Sequence, residues 1–266
     1  MPGKYNKKTV YSIRTTLSEC PPLYRIFEKL FYGKSFVVTN SLKGMEEFKM
    51  IIGNRSTGNL TNIYNGFDIK RFTAENPPEV SGTLVFGTAG RQTAQKNQIQ
   101  ILRVLNRLKN TLSFHFYLIG EKYTGVTLEL EKYISDNNLD RLITILDPIS
   151  RIEEYYKKFN LFILSSKSEG CSNVLFEAML SKCLCIVSKE ANTDNFIKEG
   201  WNGLEYDGSD EDLERKINKA VQIINSGEVH KITHNGYAYA SENFSMEKMV
   251  EGYEEIYRSL LADNAF

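Results

Sequence analysis

The sequence predicts an α/β fold: a Rossmann-like parallel sheet with helices on both faces, joined to a partial α/β segment at the amino end. From about residue 81, short β-rich runs alternate with helical patterns, which is the signature of right-handed βαβ units. The runs are nearly continuous in apolar residues, as strands buried on both faces are. With 266 residues, 41% of them hydrophobic, the chain can bury a core of this kind.

The elements follow in chain order. The first 75 residues contain two strand-like runs, VYSI (10–13) and SFVVTNS (35–41), and helical stretches around 23–31 and 42–52. TAENPPEVSG (73–82), with its adjacent prolines, is the best linker candidate. Beyond it we predict five strands at 83–89, 114–120, 142–146, 161–166 and 184–188, with amphipathic helices around 101–108, 152–159, 210–226 and 245–261.

These elements predict three parts. Residues 1–75 form an incomplete α/β segment, 76–244 form the Rossmann-like domain, and the helix within 245–266 packs back toward the amino-terminal segment. Two or three strands do not easily make a stable sheet of their own.

Composition excludes several partners and cofactors. The 33 Lys and Arg balance the 33 Asp and Glu, which argues against nucleic acid as a partner. The four cysteines form no CxxC pair and no ligand set with the three histidines, so neither a bound metal nor a disulfide framework is expected. No signal peptide or run of roughly 20 apolar residues occurs, and we expect a cytoplasmic protein. A basic cluster leaves open a peripheral contact with anionic lipid at the inner face of the membrane: Lys4, Lys7, Lys8 and Arg14.

The strongest functional signal is SEGCSNVLFEAM, residues 168–179, which follows a predicted strand and opens a helix. Ser172 is positioned to cap that helix. The next three amides would then point at an anion, backed by the positive end of the helix dipole; they belong to Asn173, Val174 and Leu175. Glu169 precedes the helix and Glu177 lies about one turn inside it, so both carboxylates can reach hydroxyls of one ligand. The alternative is that both glutamates are solvated.

A second signal is GTAGRQTAQKNQ, residues 87–98, again between a strand and a helix. Gly87 and Gly90 allow tight turns, and Arg91 and Lys96 supply two cations. Ligands of open α/β sheets bind beyond the carboxyl ends of the strands, so we expect this segment and 168–179 at one edge, with the cations on a pyrophosphate. The segment is neither a P-loop nor a dinucleotide GxGxxG motif. The alternative is a solvated Arg and Lys.

The order of these motifs resembles glycosyltransferase family 4, the glycosyl transferases of group 1 with the GT-B architecture. YNGFD (64–68) is followed by GRxxxxK from Gly90 to Lys96, a strand ending in Gly120, and SxxxEGxxxxxxxE from Ser165 to Glu177. NGLEYD (202–207) and the closing segment 242–261 are similar to further family segments. The resemblance runs from about residue 34 to residue 262. The motif with two glutamates is specific for the architecture more than for the exact family.

The resemblance implies a role for each matching residue. Arg91 and Lys96 would bind the donor diphosphate and stabilise the leaving nucleoside diphosphate, a task that a metal performs in other transferases. Glu169 would contact the hexose near its 3- or 4-hydroxyl, and Glu177 would hold the ribose hydroxyls. The remaining donor-binding residues would contact the donor or lie near the cleft between domains: Gly90, Gly170, Cys171, Ser172, Asn173, Val174, Leu175, Asn65 and Gly66.

The implied activity is retaining transfer of a hexosyl group from a UDP- or GDP-sugar, without metal or other cofactor, to a glycan or lipid-linked acceptor in polysaccharide biosynthesis. Complete GT-B enzymes have two domains of similar size, so residues 1–75 would be the remnant of an acceptor domain. The alternative function is a nucleotide-sugar-binding subunit, or a truncated inactive transferase, that needs a separate acceptor-domain chain. A GT-B epimerase or phosphorylase would need that missing half too, and the lack of GxGxxG disfavours a nicotinamide enzyme.

Overall fold

The computed structural model describes residues 9–14, 35–53, 59–80 and 82–262. The chain forms two compact units. The first takes in Met1–Phe67, Glu169–Cys171 and Phe244–Phe266, and the second takes in Asp68–Ser168 and Ser172–Asn243. The contacts thus divide the chain between Phe67 and Asp68, ahead of the expected linker at 73–82. That the first unit is the remnant of an acceptor domain stays a prediction.

In the described part of the first unit, three parallel strands form a sheet in the order β1 (Thr9–Ile13), β2 (Ser35–Thr39), β3 (Leu60–Asn62). Helix α1 (Leu42–Ile52) follows β2. It begins after Ser41, whose hydroxyl accepts the amide of Gly44 at 3.0 Å, as an N-cap residue does. The two predicted strands and the helix at 42–52 are confirmed. β3 is too short for a pattern to reveal, and the helix predicted at 23–31 lies outside the described residues.

Six strands form the sheet of the second unit: β4 (Leu84–Ala89), β5 (Phe114–Ile119), β6 (Ile143–Leu146), β7 (Leu161–Leu164), β8 (Leu184–Ser188) and β9 (Leu204–Tyr206). All pair in parallel, in the order β6-β5-β4-β7-β8-β9. Its helices are α2 (Ile69–Phe72), α3 (Gln98–Leu108), α4 (Thr124–Asp136), α5 (Glu153–Tyr156), α6 (Asn173–Leu180), α7 (Asp210–Ser226) and α8 (Val229–Asn243).

The direction of winding reverses between β4 and β7. From β4 the chain moves outward to β5 and β6, then crosses to β7 on the other side of β4 and moves outward to β8 and β9. Right-handed crossovers running in opposite directions put helices on both faces of the sheet, so the expected fold class is confirmed. Such a reversal opens a crevice beyond the carboxyl ends of the two central strands.

The core lies between this sheet and its helices. Every residue of β7 and β8 is buried, which explains why both strands read as continuous apolar runs. Helix α3 buries the stripe that contains Ile101, Leu105 and Leu108. Its exposed side pairs with the start of α7 through Arg103 and Asp210, whose nitrogen and oxygen atoms lie 2.8 Å apart.

Helix α5 ends earlier than predicted because Phe159 and Asn160 make contacts with the sheet. The pattern predicts helix to residue 159, whereas α5 ends at Tyr156. A β-carbon built on Gly87 would lie 2.1 Å from the ring of Phe159, so that ring occupies the space above the glycine. The backbone amide of the next residue, Asn160, donates to the carbonyl of Val85, and the amide of Val85 donates to Oδ1 of Asn160, each at 2.8 Å. These contacts end the helix and start β7.

The last helix, α9 (Met246–Ala262), belongs to the first unit. Phe67 and Ser245 form a parallel bridge just before it. A β-carbon on Gly66 would lie 2.7 Å from the α-carbon of Met246, so only glycine allows this approach. No helix in the described part of the chain is both long and apolar enough to cross a membrane.

Candidate nucleotide-sugar site

The cationic loop, residues 90–97, leaves the sheet at the end of β4, beside the end of β5. The Gly90 amide donates to the carbonyl of Ile119 at 2.9 Å. A β-carbon on Gly120 would lie only 2.0 Å from the carbonyl oxygen of Gly90. Both glycines have positive φ, 137° and 154°, which other residues rarely adopt. The two strand ends therefore touch backbone to backbone, which fixes where the cationic loop begins.

A buried glutamine holds the first half of this loop. Gln92 has no exposed surface, and its backbone amide donates to the carbonyl of Glu121 at 2.8 Å. Its side-chain nitrogen donates to the carbonyl of Gly120 at 3.3 Å, and its side-chain oxygen accepts the hydroxyl of Thr127 at 2.8 Å. Every polar group of this side chain is thus used to anchor the loop to the segment after β5.

The two cations of the loop differ in exposure. The half-buried Lys96 folds back over Gly90: its Cε and Nζ lie 3.5 Å and 3.9 Å from a β-carbon built on that glycine. Arg91 is exposed, and among the described residues its guanidinium forms no ion pair. Its backbone is fixed, because its carbonyl accepts the side chain of Gln98 at 2.9 Å. One ammonium therefore lies near the end of β4, while the guanidinium can reach outward.

The structure joins the cationic loop to the segment that follows β7. The hydroxyl of Ser165 donates to the carbonyl of Lys96 at 2.9 Å. The amide of Lys167 donates to the carbonyl of Gln95, and the Gln95 side chain donates to the carbonyl of Ser168, both at 2.8 Å. The two segments that the sequence singles out thus flank the reversal of the sheet, and hydrogen bonds tie 95–97 to 165–168.

Helix α6 starts where the sequence predicts, with Ser172 as its N-cap residue. The expected side-chain cap is wrong: Ser172 is buried, and its hydroxyl has no hydrogen-bond partner in the described part of the chain. The expectation for Leu175 is also corrected, because its amide donates to the carbonyl of Ser172 at 3.1 Å. A tight first turn uses that amide within the chain. Among the described residues, Val174 at the second helical position has an amide without a carbonyl partner inside the helix.

Glu177 lies in α6 and faces Tyr156 at the end of α5. The Tyr156 hydroxyl donates to Oε2 of Glu177 at 2.9 Å. Burial raises the pKa of Glu177 above its usual value, although the hydrogen bond from Tyr156 and the charge of Arg71 work to lower it. Glu177 is therefore not the solvated helix residue of the alternative interpretation.

Arg71 in α2 lies close enough to act on this carboxylate, but its hydrogen bonds go elsewhere. Its Nε and Nη2 donate to Oε2 of Glu153 at 3.1 Å and 2.9 Å, and Nη2 also donates to the carbonyl of Ser150 at 2.8 Å. Burial works to raise the pKa of Glu153, but bonds from its own backbone and from Arg71 outweigh burial and leave that pKa lowered. Glu153 and Glu177 thus occupy contrasting environments on neighbouring helices.

The remaining predicted residues belong to the first unit. Glu169 is 8% exposed and groups with Gly170 and Cys171 in that unit. A β-carbon on Gly170 would lie 3.8 Å from Oδ1 of Asn40, which follows β2. The Gly66 amide donates to the sulfur of Met249 at 3.2 Å, so Gly66 has a packing role. The expected position of Asn65 and Gly66 at a cleft stays a prediction, as does the expected contact of Glu169 with the hexose.

Sequence reasoning missed three residues that lie around the predicted site residues: Tyr156, Arg71 and Gln92. Tyr156 fits a helical apolar stripe and reads as core, Arg71 lies outside any motif, and Gln92 looks like one polar residue among many. The available signal at Tyr156 was a tyrosine within an apolar stripe, because a buried tyrosine hydroxyl usually has a hydrogen-bond partner. Among the described residues, no group of three or more His, Cys, Asp or Glu side chains could hold a metal ion.

Comparison with known proteins agrees with this architecture. A family model described as glycosyl transferases group 1 matches residues 83–222. An uncharacterised glycosyltransferase of Methanocaldococcus jannaschii is 26% identical over 246 residues, covering 85% of this chain and 66% of the relative. The UDP-Gal:alpha-D-GlcNAc-diphosphoundecaprenol alpha-1,3-galactosyltransferase of Escherichia coli is 22% identical over 213 residues, covering 76% of this chain and 54% of the relative. The chain therefore spans less than two thirds of either curated relative.

Among solved structures, HepE of Anabaena in complex with UDP and glucose superposes with a TM-score of 0.84. The alignment covers 94% of this chain and 71% of that one, at 20% identity. At this identity the likeness establishes the fold, which is that of GT-B glycosyltransferases.

Proposed function

The chain belongs to the glycosyl transferases of group 1, and we propose that it transfers a hexosyl group from a UDP-sugar to a glycan or lipid-linked acceptor. The observation that carries the proposal is the junction of two segments at the reversal of the sheet: the cationic loop, with Lys96 over Gly90, is hydrogen-bonded to 165–168, directly before the predicted sugar-binding residues. Two of the similar proteins support the choice of UDP over GDP. The name of the Escherichia coli relative includes UDP-Gal, and the HepE structure is a complex with UDP and glucose.

In this proposal Lys96 and Arg91 bind the donor diphosphate. Charge-assisted hydrogen bonds to phosphate oxygens are among the stronger ones, and they strengthen as negative charge develops on the departing diphosphate. The hydroxyl of Ser172, which has no hydrogen-bond partner among the described residues, and the amide of Val174 supply further neutral donors. The protein's own cations would then do what a divalent metal does in other transferases.

The two glutamates bind the sugar rings. Glu177 accepts the ribose hydroxyls, and Glu169, with the backbone of Gly170 to Ser172, binds the hexose. A half-buried carboxylate whose pKa is raised by burial gains the most from hydroxyl donors, because a ligand replaces the water that it has lost.

We propose retention at the anomeric carbon through a front-side route. The acceptor oxygen bonds to the anomeric carbon while the bond from that carbon to the β-phosphate oxygen breaks. The acceptor proton passes to the departing phosphate oxygen on the same face, and the products are the glycoside and UDP. No carboxylate nucleophile is assigned, since retaining hydrolases use two carboxyl groups about 5 Å apart and no such pair is identified among the described residues.

The test is calorimetric titration with UDP and GDP in the presence of EDTA, on the wild type and on Arg91→Ala and Lys96→Ala. We expect UDP to bind without metal and each variant to weaken binding by roughly 10- to 100-fold, as the loss of a hydrogen bond to a charged group does. Lys132→Ala is the control, since Lys132 lies on the exposed side of α4 and pairs with Asp136. Binding that appears only with added metal, or that survives Lys96→Ala intact, would reject the proposal.

A second candidate is a nucleotide-sugar-binding unit that acts only with a separate acceptor-domain chain. The chain spans 66% and 54% of the length of the two curated relatives. Under this candidate the chain binds UDP but releases no UDP from UDP-sugars with added glycan acceptors. A chain carrying an acceptor domain would then restore turnover. Turnover by the chain alone would remove this candidate.

A further inference from the structure

Tyr156 is held in one orientation by its surroundings. Its side chain has no exposed surface, and three aromatic rings contact it edge-on. Their centroids lie 5.6 Å (Phe162), 6.0 Å (Phe159) and 6.2 Å (Phe72) from its own. A phenol enclosed in this way cannot turn its hydroxyl elsewhere, so packing alone directs it at Glu177.

The hydroxyl acts as a permanent neutral donor. Burial raises the pKa of Tyr156 well above its usual value, and the nearby carboxylate of Glu177 raises it further. The phenol therefore keeps its proton at neutral pH. A neutral donor orients a carboxylate without cancelling its charge, whereas an ion pair would compete with a ligand for the same oxygens.

The nearest cation does not take this role. The guanidinium of Arg71 is bound to Glu153 and to the carbonyl of Ser150, and it forms no ion pair with Glu177 among the described residues. In the same part of the chain, Oε1 of Glu177 accepts no hydrogen bond. Tyr156 uses one lone pair of Oε2, so about three of the four acceptor sites of the carboxylate remain available to other donors.

We infer that Tyr156 is a positioning residue, which fixes the carboxylate of Glu177 so that the ribose hydroxyls of the nucleoside diphosphate bind to a preset acceptor. The inference rests on the proposed function, because it deepens the role given there to Glu177. Tyr156 does not touch the ligand. It lowers the conformational cost of binding, which a freely rotating carboxylate would impose when the ribose arrives.

The test compares UDP with 2′,3′-dideoxy-UDP, which lacks the hydroxyls that Glu177 would accept. Titration calorimetry in EDTA gives the ratio of the two affinities for the wild type and for Tyr156→Phe, which keeps the ring among its three neighbours. We expect Tyr156→Phe to weaken UDP binding about tenfold, the effect of about 1.4 kcal/mol, and to leave dideoxy-UDP binding unchanged. Glu177→Gln should lower the ratio of UDP affinity to dideoxy-UDP affinity at least as far. In the double variant, Tyr156→Phe should have little further effect on this ratio.

Tyr155→Phe is the matched control: the same change on the neighbouring residue, whose hydroxyl makes no hydrogen bond in the described part of the chain. It should leave both affinities unchanged. Equal weakening of UDP and dideoxy-UDP by Tyr156→Phe would show a merely structural role and overturn the inference, as would an unchanged ratio. If the wild type binds no UDP, the proposed function fails and the inference fails with it. UDP binding that depends on Lys96 but not on Tyr156 sinks the inference alone.

Discussion

The contact between Gly120 and Gly90 gives the sharpest prediction about how the site is held. Gly120→Ala adds a methyl group 2.0 Å from the carbonyl oxygen of Gly90 and 2.6 Å from its carbonyl carbon. The atoms must separate by roughly 1 Å to reach ordinary contact, and overpacking of this kind typically costs about 1–3 kcal/mol. Alanine at φ 154° adds about 1–3 kcal/mol of backbone strain. The expected loss of unfolding free energy is therefore about 2–6 kcal/mol.

Relief of this clash must move Gly90, and with it the start of the cationic loop. We therefore expect Gly120→Ala to lower the melting temperature by roughly 5–20 °C and to weaken UDP binding as well, although Gly120 carries no side chain for a ligand. Gly125→Ala is the control, because a β-carbon there meets nothing within 4 Å and alanine favours helix α4 by about 0.5–1 kcal/mol. Scanning calorimetry and UDP titration measure both effects. A Gly120→Ala protein as stable as Gly125→Ala would refute the reasoning.

Two further predictions concern Glu177 and Ser165. Glu177→Gln should raise the melting temperature at pH 7 while weakening UDP binding. The side-chain amide of the glutamine still accepts a hydrogen bond from the Tyr156 hydroxyl. Burial raises the pKa of Glu177, so the folded wild type pays to ionise this carboxyl and loses stability as the pH rises through the interval above 4.5. The gain should shrink at pH 4, and an equal gain at both pH values would contradict it. Ser165→Ala should cost about 1–3 kcal/mol, because it removes the hydroxyl donor of the part-buried Lys96 carbonyl, whereas the Asn97 carbonyl keeps the Gln100 amide. It should weaken UDP binding through the displaced loop, and unchanged affinity and stability in calorimetry would count against that role.

The sequence predicts the sheet of the second unit well because its strands are buried on both faces. A run such as LFILSS cannot lie on a surface, and the alternation with amphipathic helices leaves few topologies. The segments around Lys96 and Ser172 were also predictable, since ligands gather beyond the carboxyl ends of strands. β9 and α8 carry weaker patterns: one is three residues long, and the other mixes polar residues into its buried stripe.

Contacts made by polar atoms inside the core could not be predicted. Nothing in the spacing of Tyr156 and Glu177 says that the phenol meets the carboxylate, because that contact depends on where α5 ends, and Phe159 and Asn160 decide this through Gly87 and Val85. The corrected expectation for Leu175 has a similar cause. Whether the first turn of a helix closes on its N-cap carbonyl or leaves its amides open depends on local geometry that residue types do not fix.

A crystal structure of the chain grown with UDP and EDTA tests the central claim most directly. We predict diphosphate oxygens within about 2.7–3.2 Å of Lys96 Nζ and the Arg91 guanidinium, with the ribose hydroxyls on Glu177. A diphosphate bound away from the cationic loop, or reached by the protein only through a metal ion, would contradict it.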